Sequence, residues 1–444
     1  MDLPGIFKAY DVRGLVPAQL DAEAARRIGV GFAEFAGAET IAVGRDCRRS
    51  SPVLAEALGD GIVSRGVDVL DVGAITTDMA YFVSGARELP AVMITASHNP
   101  PDYNGMKFCL AGAAPVGRDT GLEEIRRIAE APPTTPRPRG RIHTEDVRDA
   151  YVDHLFTIVD AEAIAPLRVA ADGGNGMAGV VLPLVFDRVA AELDGLYLEP
   201  DGTFPNHPPD PLNPENLRDL EALMARRRPD LGVAFDGDAD RAFFVDDRGV
   251  PLPGSTTTAI IAEWFLRREP GATIVHNLIC SKAVPETIER AGGKPVRTRV
   301  GHSFIKQVMA ETNAVFGGEH SGHYYYRDNY RADSGILTLL VLLEILSERG
   351  LPLSELREPY EPYVASGELN FEVADKEATI TAVEAAFAGA DVDHLDGLTV
   401  DLGEEGWFNL RPSNTEPVLR LNVEAPDRDR LEALVARVRE IVES

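Results

Sequence analysis

Residues 41–72 read IAVGRDCRRSSPVLAEALGDGIVSRGVDVLDV, and this stretch decides the fold class. Apolar runs predict strands at Ile41–Gly44 and Val67–Val72, and the segment between them, Pro52–Ser64, is typical of a helix. A further apolar run, Ala91–Thr95, predicts the next strand. Strands that alternate with helices at this spacing form βαβ units around a mostly parallel sheet. The first part of the chain is therefore predicted to be an α/β domain.

Strands and helices alternate again after a proline-rich segment at Ala131–Arg139. The elements predicted beyond it are a linking helix near Asp146–Val159, strands at Arg168–Ala171, Leu231–Phe235, Thr273–His276 and Val296–Thr298, a hairpin of Phe243–Val245 and Val250–Leu252, a loop at Phe204–Pro214 and a helix at Gly335–Glu348. After Pro359 the pattern changes to a strand at Val418–Val423 and an amphipathic helix at Arg428–Val442. We predict three α/β domains, at residues 1–148, 149–250 and 251–361, and a smaller α+β domain at residues 362–444.

The composition limits the classes of partner. The chain has 444 residues and a formal net charge of −27. Because nucleic acid and anionic membrane surfaces are themselves negative, this charge disfavours both as partners. The negative charge also repels anionic substrates, so a phosphate site needs arginine and lysine nearby. Adaptation to high salt is a second explanation of the excess of acidic residues. The longest apolar stretch, Ile336–Leu346, is too short to span a bilayer and is expected to be a buried helix.

The cysteines indicate a reducing compartment. Cys47, Cys109 and Cys280 are odd in number and widely spaced, which fits neither a disulfide framework nor a zinc knuckle. The N-terminal residues lack the basic and apolar regions of a signal peptide. We therefore expect a cytoplasmic protein, and the sequence leaves its oligomeric state open.

The segment DGDADR, at residues 236–241, follows a predicted buried strand. Its carboxylates at alternate positions, Asp236, Asp238 and Asp240, can converge on one hard cation. An EF-hand is excluded, because its loop needs glycine at the sixth position, where Arg241 stands. Mg²⁺ fits better, since it takes a few carboxylates and completes its shell with phosphate oxygens, and Arg241 can hold such a phosphate. A solvated acidic turn is the competing interpretation.

Ser97 lies at the predicted end of a buried strand, in the segment TASHNP at residues 95–100. Folds of the α/β class place reactive groups at this end of a strand. The turn signals Asn99-Pro100 and Asn104-Gly105 predict a loop there, next to Lys107. The segment is not a GxSxG elbow, so hydrolysis by a Ser-His-Asp triad is disfavoured. A loop-capping role for Ser97 and His98, and a solvated Lys107, are the alternatives.

Residues 411–416, RPSNTE, lie between two predicted strands and suit an oxyanion. The polar side chains concerned are those of Arg411, Ser413, Asn414 and Thr415, with Arg420 on the following strand as a second guanidinium. A hairpin loop that satisfies its own backbone is the alternative.

Residues 317–323, GGEHSGH, offer a carboxylate and a hydroxyl at Glu319 and Ser321, a pair able to bind vicinal sugar hydroxyls. Their histidines do not complete a zinc site at the usual spacing. Weaker candidates, for which a structural role is the alternative, are His302, Ser303, Lys306 and the N-terminal group Lys8, Tyr10, Asp11 and Arg13.

Taken in order, these segments resemble the α-D-phosphohexomutase superfamily, and within it the bacterial phosphomannomutase/phosphoglucomutase branch. The matching segments are KAYDVRG at 8–14, TASHNP at 95–100, DGDADR at 236–241, GEHSGH at 318–323 and RPSNTEP at 411–417. The resemblance implies three related α/β domains with mixed sheets and a smaller phosphate-binding α+β domain around a central cleft. It also implies an enzyme that interconverts hexose 1-phosphates and 6-phosphates through a phosphoserine and a bisphosphate intermediate, with Mg²⁺ as cofactor and a hexose 1,6-bisphosphate as activator.

The resemblance assigns roles residue by residue. Ser97 is the phosphorylated residue, and its oxygen completes a metal site formed by Asp236, Asp238 and Asp240. The residues that neutralise charge or assist proton movement are Arg13, Lys107, Arg241, His302 and His323, with His98 beside the serine. Sugar and phosphate contacts fall to Tyr10, Glu319, Ser321, Arg411, Ser413, Asn414, Thr415 and Arg420.

Two departures bear on the substrate. Bacterial mannose and glucose enzymes carry a sugar-site lysine where this chain has Ile279. Glucosamine mutases usually show different sugar and phosphate loops, so Glu319-His320 and Ser413-Asn414-Thr415 favour mannose or glucose phosphates and leave phosphoglucosamine mutase as the alternative. A non-catalytic sugar-phosphate-binding protein is disfavoured, since neither the serine nor a carboxylate is lost.

Overall fold

The computed structural model describes residues 3–413 and 418–443, apart from the side chain of His302, and the strands in this part of the chain form four sheets. The sheet of the first domain has the strand order Val12–Leu15, Tyr103–Leu110, Ala91–Ile94, Thr40–Arg45, Asp68–Ala74 and Ile142–Thr144, with Ala114–Pro115 beside Tyr103–Leu110. Its α-helices are Leu3–Ile6, Ala22–Ala36, Ser51–Val63, Thr77–Arg87 and Leu122–Glu130. The predicted parallel arrangement holds for Thr40–Arg45 and both of its neighbours.

One element of the first domain was predicted wrongly. Asn104-Gly105, interpreted as a turn, lies inside the strand Tyr103–Leu110, which is antiparallel to both neighbours. Asn104 donates its amide N–H to Ser51 Oγ over 2.9 Å instead of shaping a turn. A Cβ on Gly105 would lie 2.2 Å from the carbonyl oxygen of Val12, so the glycine allows a close approach of the neighbouring strand.

The second and third domains each carry a mixed sheet. In the second, after the linking helix Arg148–Ile158, the strand order is Ala242–Val245, Leu231–Phe235, Arg168–Asp172 and Glu192–Leu196, with helices Leu182–Phe186 and Arg218–Arg227. In the third, the order is Lys294–Thr298, Thr273–Asn277, Phe316–Gly318, Tyr324–Tyr326 and Ala332–Asp333, with helices Gly254–Arg268, Ala283–Arg290, His302–Thr312, Gly335–Arg349 and Leu353–Leu356. The hairpin predicted from Phe243–Val245 and Val250–Leu252 forms in a short version. Val245 forms an antiparallel bridge with Pro251, the N–H of Leu252 donates to the Phe244 carbonyl over 2.8 Å, and the N–H of Asp246 donates to the Val250 carbonyl over 3.0 Å.

The C-terminal domain is an antiparallel sheet covered by two helices of the described chain. Its strand order is Val364–Glu372, Val418–Ala425, Trp407–Pro412, Leu398–Asp401 and Asp391–Asp393, and its helices are Lys376–Ala386 and Arg428–Val442. Its buried apolar residues form a cluster of their own, whereas one apolar cluster runs through the first three domains from Ala42 to Tyr360. Polar contacts join the C-terminal domain to the third, including Lys282 Nζ to Asp401 Oδ1 at 2.7 Å. The fold class predicted from the sequence is confirmed.

The helix Gly335–Arg349 forms the centre of this shared cluster. Ser334 caps its first turn by accepting the N–H of Leu337, and Gly350, at φ 60°, ends it in the left-handed conformation. Every residue from Gly335 to Leu346 is buried, as expected for the run Ile336–Leu346. Among the described residues, no helix is long and apolar enough to cross a bilayer.

We predict that Leu340→Ala lowers the free energy of unfolding by about 2–5 kcal/mol, because the lost side chain leaves a cavity in this cluster. Leu340 is fully buried, and Trp264 of the same domain reports on unfolding in urea by fluorescence. Leu351→Ala, at a side chain that is 46% exposed, is the control and should change stability by less than about 0.5 kcal/mol. Equal effects of the two substitutions would contradict the assignment of Leu340 to the core.

Candidate active site

Two loops from different domains meet at the candidate site. Ser97 follows the strand Ala91–Ile94 of the first domain, and Asp236 follows Leu231–Phe235 of the second. The Ser97 hydroxyl donates to Asp236 Oδ2 over 2.6 Å, and Arg241 donates to Ser97 Oγ over 3.3 Å. Both side chains are buried. The structure thus brings together the predicted phosphoserine and the predicted metal loop.

The approach of these loops depends on the backbone at Ser97 and Gly237. Ser97 has φ 49°, in the left-handed region that favours glycine and is common at functional sites. A Cβ on Gly237 would lie 2.4 Å from the Ser97 carbonyl oxygen, so a larger residue would force the loops apart. Thr77 fixes the second loop further, since its N–H donates to the Asp238 carbonyl over 3.0 Å.

The three aspartates form a buried cluster of oxygen ligands. Asp236, Asp238 and Asp240 each offer an oxygen atom within 4.8 Å of the others. Asp238 Oδ1 and Asp240 Oδ1 are buried without a hydrogen-bond partner among the described residues. Because buried carboxylate oxygens need a donor or a cation, this donor set fits a divalent metal ion.

Lys107 supplies the nearest positive charge to this cluster. Its Nζ lies 2.7 Å from Asp238 Oδ2 and 2.6 Å from Asp240 Oδ2. Burial acts against the charged amine, but the two carboxylates outweigh it and raise the pKa of Lys107 well above its usual value. Lys107 therefore carries its proton and faces the cluster as a cation.

The surroundings shift the pKa values of two of the aspartates in opposite directions. Burial raises the pKa of Asp236 to about 7, with Asp240 and Asp238 adding to the rise and Arg241 opposing it. Burial would raise the pKa of Asp238 too, but Lys107 and the Thr77 hydroxyl hold it below its usual range. The cluster sets three carboxylates against the two paired cations of Lys107 and Arg241, which favours uptake of a further cation.

His98 and Arg13 border the serine on the other side. Arg241 contacts His98 Nδ1, which lies 3.2 Å from Ser97 Oγ. Since a guanidinium can only donate, this nitrogen is an acceptor, and burial together with the positive charges of Arg241 and Arg13 lowers the pKa of His98 well below its usual value. Arg13 donates to Asn99 Oδ1 over 2.5 Å, so it contacts the serine loop through a neighbouring residue.

His323 faces the cluster from the third domain. Its Nδ1 lies 2.8 Å from Asp333 Oδ2 and 3.8 Å from Asp240 Oδ1. Burial lowers the pKa of His323, but the charges of Asp240 and Asp333 raise it overall. Lys306, one of the weaker candidates, lies 2.8 Å from Asp333 Oδ1 and supports this pair from behind.

The candidate sugar-binding residues lie in the turn that follows the strand Phe316–Gly318, the central strand of the third sheet. Glu319 is buried and accepts from Asn277 Nδ2 over 3.1 Å and from Tyr325 OH over 2.5 Å. Ser321 follows in the same turn and is half-buried. Tyr10 donates to the Val300 carbonyl over 3.2 Å, which brings the N-terminal segment against the third domain.

The candidate phosphate loop is described in part. Arg411 and Arg420 face each other on paired strands, and both approach Glu368, at 3.1 Å and 3.3 Å. Arg411 Nε is buried without a hydrogen-bond partner among the described residues, which leaves one N–H for an anion. Ser413 donates its backbone N–H to the Val418 carbonyl over 2.9 Å. Asn414, Thr415 and the side chain of His302 lie outside the described residues.

Sequence reasoning missed two residues that hold the loops of the site in place. Arg48 is fully buried and donates to the carbonyl oxygens of Ser97 and Asn99, and Thr77 contacts Asp238. The available signal was the charged run after the strand Thr40–Arg45, at the carboxyl end of a parallel sheet next to the strand that leads to Ser97.

The chain matches family models of phosphoglucomutase/phosphomannomutase along almost its whole length. The matched parts are alpha/beta/alpha domain I at residues 4–135, domain II at 149–249, domain III at 253–363 and the C-terminal domain at 368–441. The chain belongs to this family.

Individual members of the family are similar to this chain over almost its whole length. A phosphomannomutase of Salmonella montevideo is 40% identical, with 98% of both chains covered, and a phosphomannomutase of Escherichia coli K12 is 41% identical, with 94% of both covered. A solved phosphoglucomutase/phosphomannomutase family protein of Burkholderia thailandensis has 35% identity and a TM-score of 0.91, with 99% of this chain and 97% of that chain covered.

We predict that Asp238→Asn weakens the binding of Mg²⁺ and Mn²⁺ by at least about tenfold, because the site loses one of its three buried carboxylate charges. Isothermal titration calorimetry on the purified protein measures this. Asp246→Asn is the control, since Asp246 is an equally buried carboxylate of the same domain that pairs with Arg357 instead. Unchanged affinity in Asp238→Asn would rule out the cluster as the metal site.

Proposed function

We propose that this chain is a hexose phosphomutase that moves a phosphoryl group between C1 and C6 through a phosphoserine at Ser97. The observation that carries the proposal is the contact of a buried serine with a carboxylate cluster, at 2.6 Å, beside Arg241 and Lys107. A phosphorylated serine beside three carboxylates would be repelled unless cations balance it. The phosphomannomutases that share about 40% of its residues support the same reaction class.

Positioning and charge neutralisation are the main demands of phosphoryl transfer, and the residues of the site meet both. A Mg²⁺ ion held by Asp236, Asp238 and Asp240 would neutralise the charge of the phosphoryl group. Arg241 adds a guanidinium within 3.3 Å of Ser97 Oγ. Its pKa is raised, since the carboxylates outweigh burial, so it stays charged throughout the reaction.

The transfer moves protons as well as the phosphoryl group. A sugar hydroxyl forms a new bond to phosphorus and loses its proton, while the bond from phosphorus to Ser97 Oγ breaks and that oxygen gains a proton. Lys107 is protonated and close to the cluster, so we assign it the donation of a proton on this side. We assign acceptance of the proton from the sugar hydroxyl to His323, which Asp333 holds at 2.8 Å on the side of the third domain.

The sugar must bind in two orientations, because one serine serves both of its ends. Arg411 and Arg420, together with Ser413, Asn414 and Thr415, are the proposed clamp for the phosphate that does not react. Glu319 and Ser321 are the proposed readers of the sugar hydroxyls, and Tyr10 is the proposed contact from the first domain. Burial raises the pKa of Tyr10; the charge of Glu319 adds to the rise and that of Arg411 opposes it, which supports a common site for the three residues.

The proposed substrates are mannose and glucose phosphates, with a hexose 1,6-bisphosphate as activator. The segments Glu319-His320 and Ser413-Asn414-Thr415 support this choice over glucosamine phosphate. Rates measured with the three sugar 1-phosphates at equal concentration discriminate between them. The net charge of −27 supports a small-molecule substrate over nucleic acid or a membrane surface. The three described cysteines are free thiols, which supports a cytoplasmic location.

We predict that the active enzyme carries one phosphoryl group on Ser97 and that a hexose 1,6-bisphosphate restores activity to the dephosphorylated form. Intact-mass spectrometry with peptide mapping locates the group, and a coupled assay with glucose 1-phosphate and mannose 1-phosphate measures activity. Ser97→Ala should remove both the added mass and most of the activity. Ser64→Ala, at a half-buried serine at the end of a helix of the same domain, should change neither. Full activity in an unmodified enzyme that ignores the bisphosphate would contradict the mechanism.

We predict that Arg411→Ala raises KM and lowers kcat for either sugar 1-phosphate. The loss of a charge-assisted contact to the distal phosphate should cost about 2–3 kcal/mol in kcat/KM. Arg430→Ala is the control, because Arg430 lies on the final helix of the same domain and contacts the Glu404 carbonyl. Steady-state constants equal to those of the wild type would exclude this loop from the substrate site.

A further inference from the structure

Arg48 is a fully buried arginine, and both terminal nitrogens of its guanidinium donate to the loop that carries Ser97. One terminal nitrogen donates to the carbonyl oxygens of Ser97 and Asn99, over 2.8 Å and 2.7 Å. The other donates to those of Pro100 and Tyr103, over 2.6 Å and 3.1 Å. With Nε bound to Asp46 Oδ2 at 3.1 Å, all five N–H donors of the side chain have partners.

These contacts hold the part of the loop whose conformation is unfavourable. The left-handed backbone of Ser97 turns its carbonyl oxygen toward Arg48, while its hydroxyl contacts Asp236 on the other side. A strained residue keeps such a conformation only when its surroundings over-determine it. Four carbonyl groups fixed by one planar cation provide this constraint.

Arg48 itself is held from two sides. Asp46 accepts from the backbone N–H of Arg48 over 3.0 Å and from Ser51 Oγ over 2.5 Å. The ring of Phe204, from the proline-rich loop of the second domain, has its centre 5.0 Å from the guanidinium carbon. Gly202 of the same loop packs so closely that its Cβ would lie 2.4 Å from the Arg48 Cα. Arg48 therefore connects the serine loop of the first domain with a loop of the second.

We propose that Arg48 is a positioning residue for phosphoryl transfer, which holds the Ser97 loop so that the serine oxygen faces the carboxylate cluster. The proposal rests on the function proposed above, in which Ser97 carries the phosphoryl group. Arg48 does not touch the reacting atoms through its side chain; it acts through the backbone of Ser97. Lysine cannot replace it, because a single ammonium nitrogen lacks the planar set of donors that reaches four carbonyl groups.

The test is Arg48→Lys, which keeps the charge and removes the planar donors. We expect kcat to fall by about 100-fold, the loss that a misplacement of about 1 Å can cause, while KM for glucose 1-phosphate stays within about threefold. Phosphorylation of Ser97 by hexose 1,6-bisphosphate, followed in a single turnover by intact mass, should slow by a similar factor. A purely structural residue would lower the melting temperature without this separation of kcat from KM.

Arg65→Lys is the matched control. Arg65 is also a buried arginine of the first domain, it pairs with Glu34 at 2.7 Å, and it donates to the Thr135 carbonyl over 3.0 Å in another loop. It should lose stability to a similar degree and keep kcat within about twofold. Should Arg48→Lys not fold, Asp46→Asn replaces it, since it removes the charge that orients the guanidinium and should lower kcat by about tenfold.

An unchanged kcat in folded Arg48→Lys overturns the proposal. If Asp46→Asn is used instead, an unchanged kcat in that variant overturns it too. A loss of kcat in Arg65→Lys as large as in the test variant has the same meaning. Failure of the underlying function gives a different result: a wild-type protein with no mutase activity and no phosphoryl group on Ser97. An active, phosphorylated wild type with an unimpaired Arg48 variant removes only the role of Arg48.

Discussion

Mutual repulsion among three buried carboxylates governs the structure around the site. Asp236, Asp238 and Asp240 come from one loop of the second domain, and the nearest ammonium, that of Lys107, comes from a strand of the first. Neither domain can satisfy these charges alone, because an isolated acidic loop would be unbalanced and an isolated buried lysine would lose its proton. Docking of the two domains therefore adds the ammonium of Lys107 to the guanidinium of Arg241, which already pairs with Asp236 inside the loop. The close approach at Gly237 and the contact of Thr77 with Asp238 follow from this requirement.

Much of the architecture could be predicted because each domain repeats a simple hydrophobic pattern. The strand Leu231–Phe235 and the helix Arg428–Val442 have the bounds that their apolar residues indicated. The start of the strand Tyr103–Leu110 was predicted to be a loop, because Asn104-Gly105 has the composition of a turn. Tertiary contacts determine the backbone conformation there, since Asn104 donates to the hydroxyls of two serines and Gly105 allows the neighbouring strand to approach closely. Local turn signals carry no information about a partner strand that is distant in the sequence.

The site was predictable where its chemistry lies in side chains that are close in sequence. The carboxylates at alternate positions and the serine at a strand end are of this kind. The support behind them is not: Arg48 binds carbonyl oxygens, which every residue possesses, and Glu319 is oriented by Asn277 and Tyr325 from two other strands. Such partners are set by the packing of elements, so only coordinates reveal them.

The separate apolar cluster of the C-terminal domain has a consequence for how such a protein changes over generations. Substitutions inside that cluster can be compensated within it, and polar contacts such as that of Lys282 with Asp401 join it to the third domain. Arg411 and Arg420 can therefore diverge, or arrive by recombination of a whole gene segment, while the interlocked core of the other three domains is inherited unchanged. Selection can in this way alter the proposed phosphate clamp without disturbing the loops around Ser97.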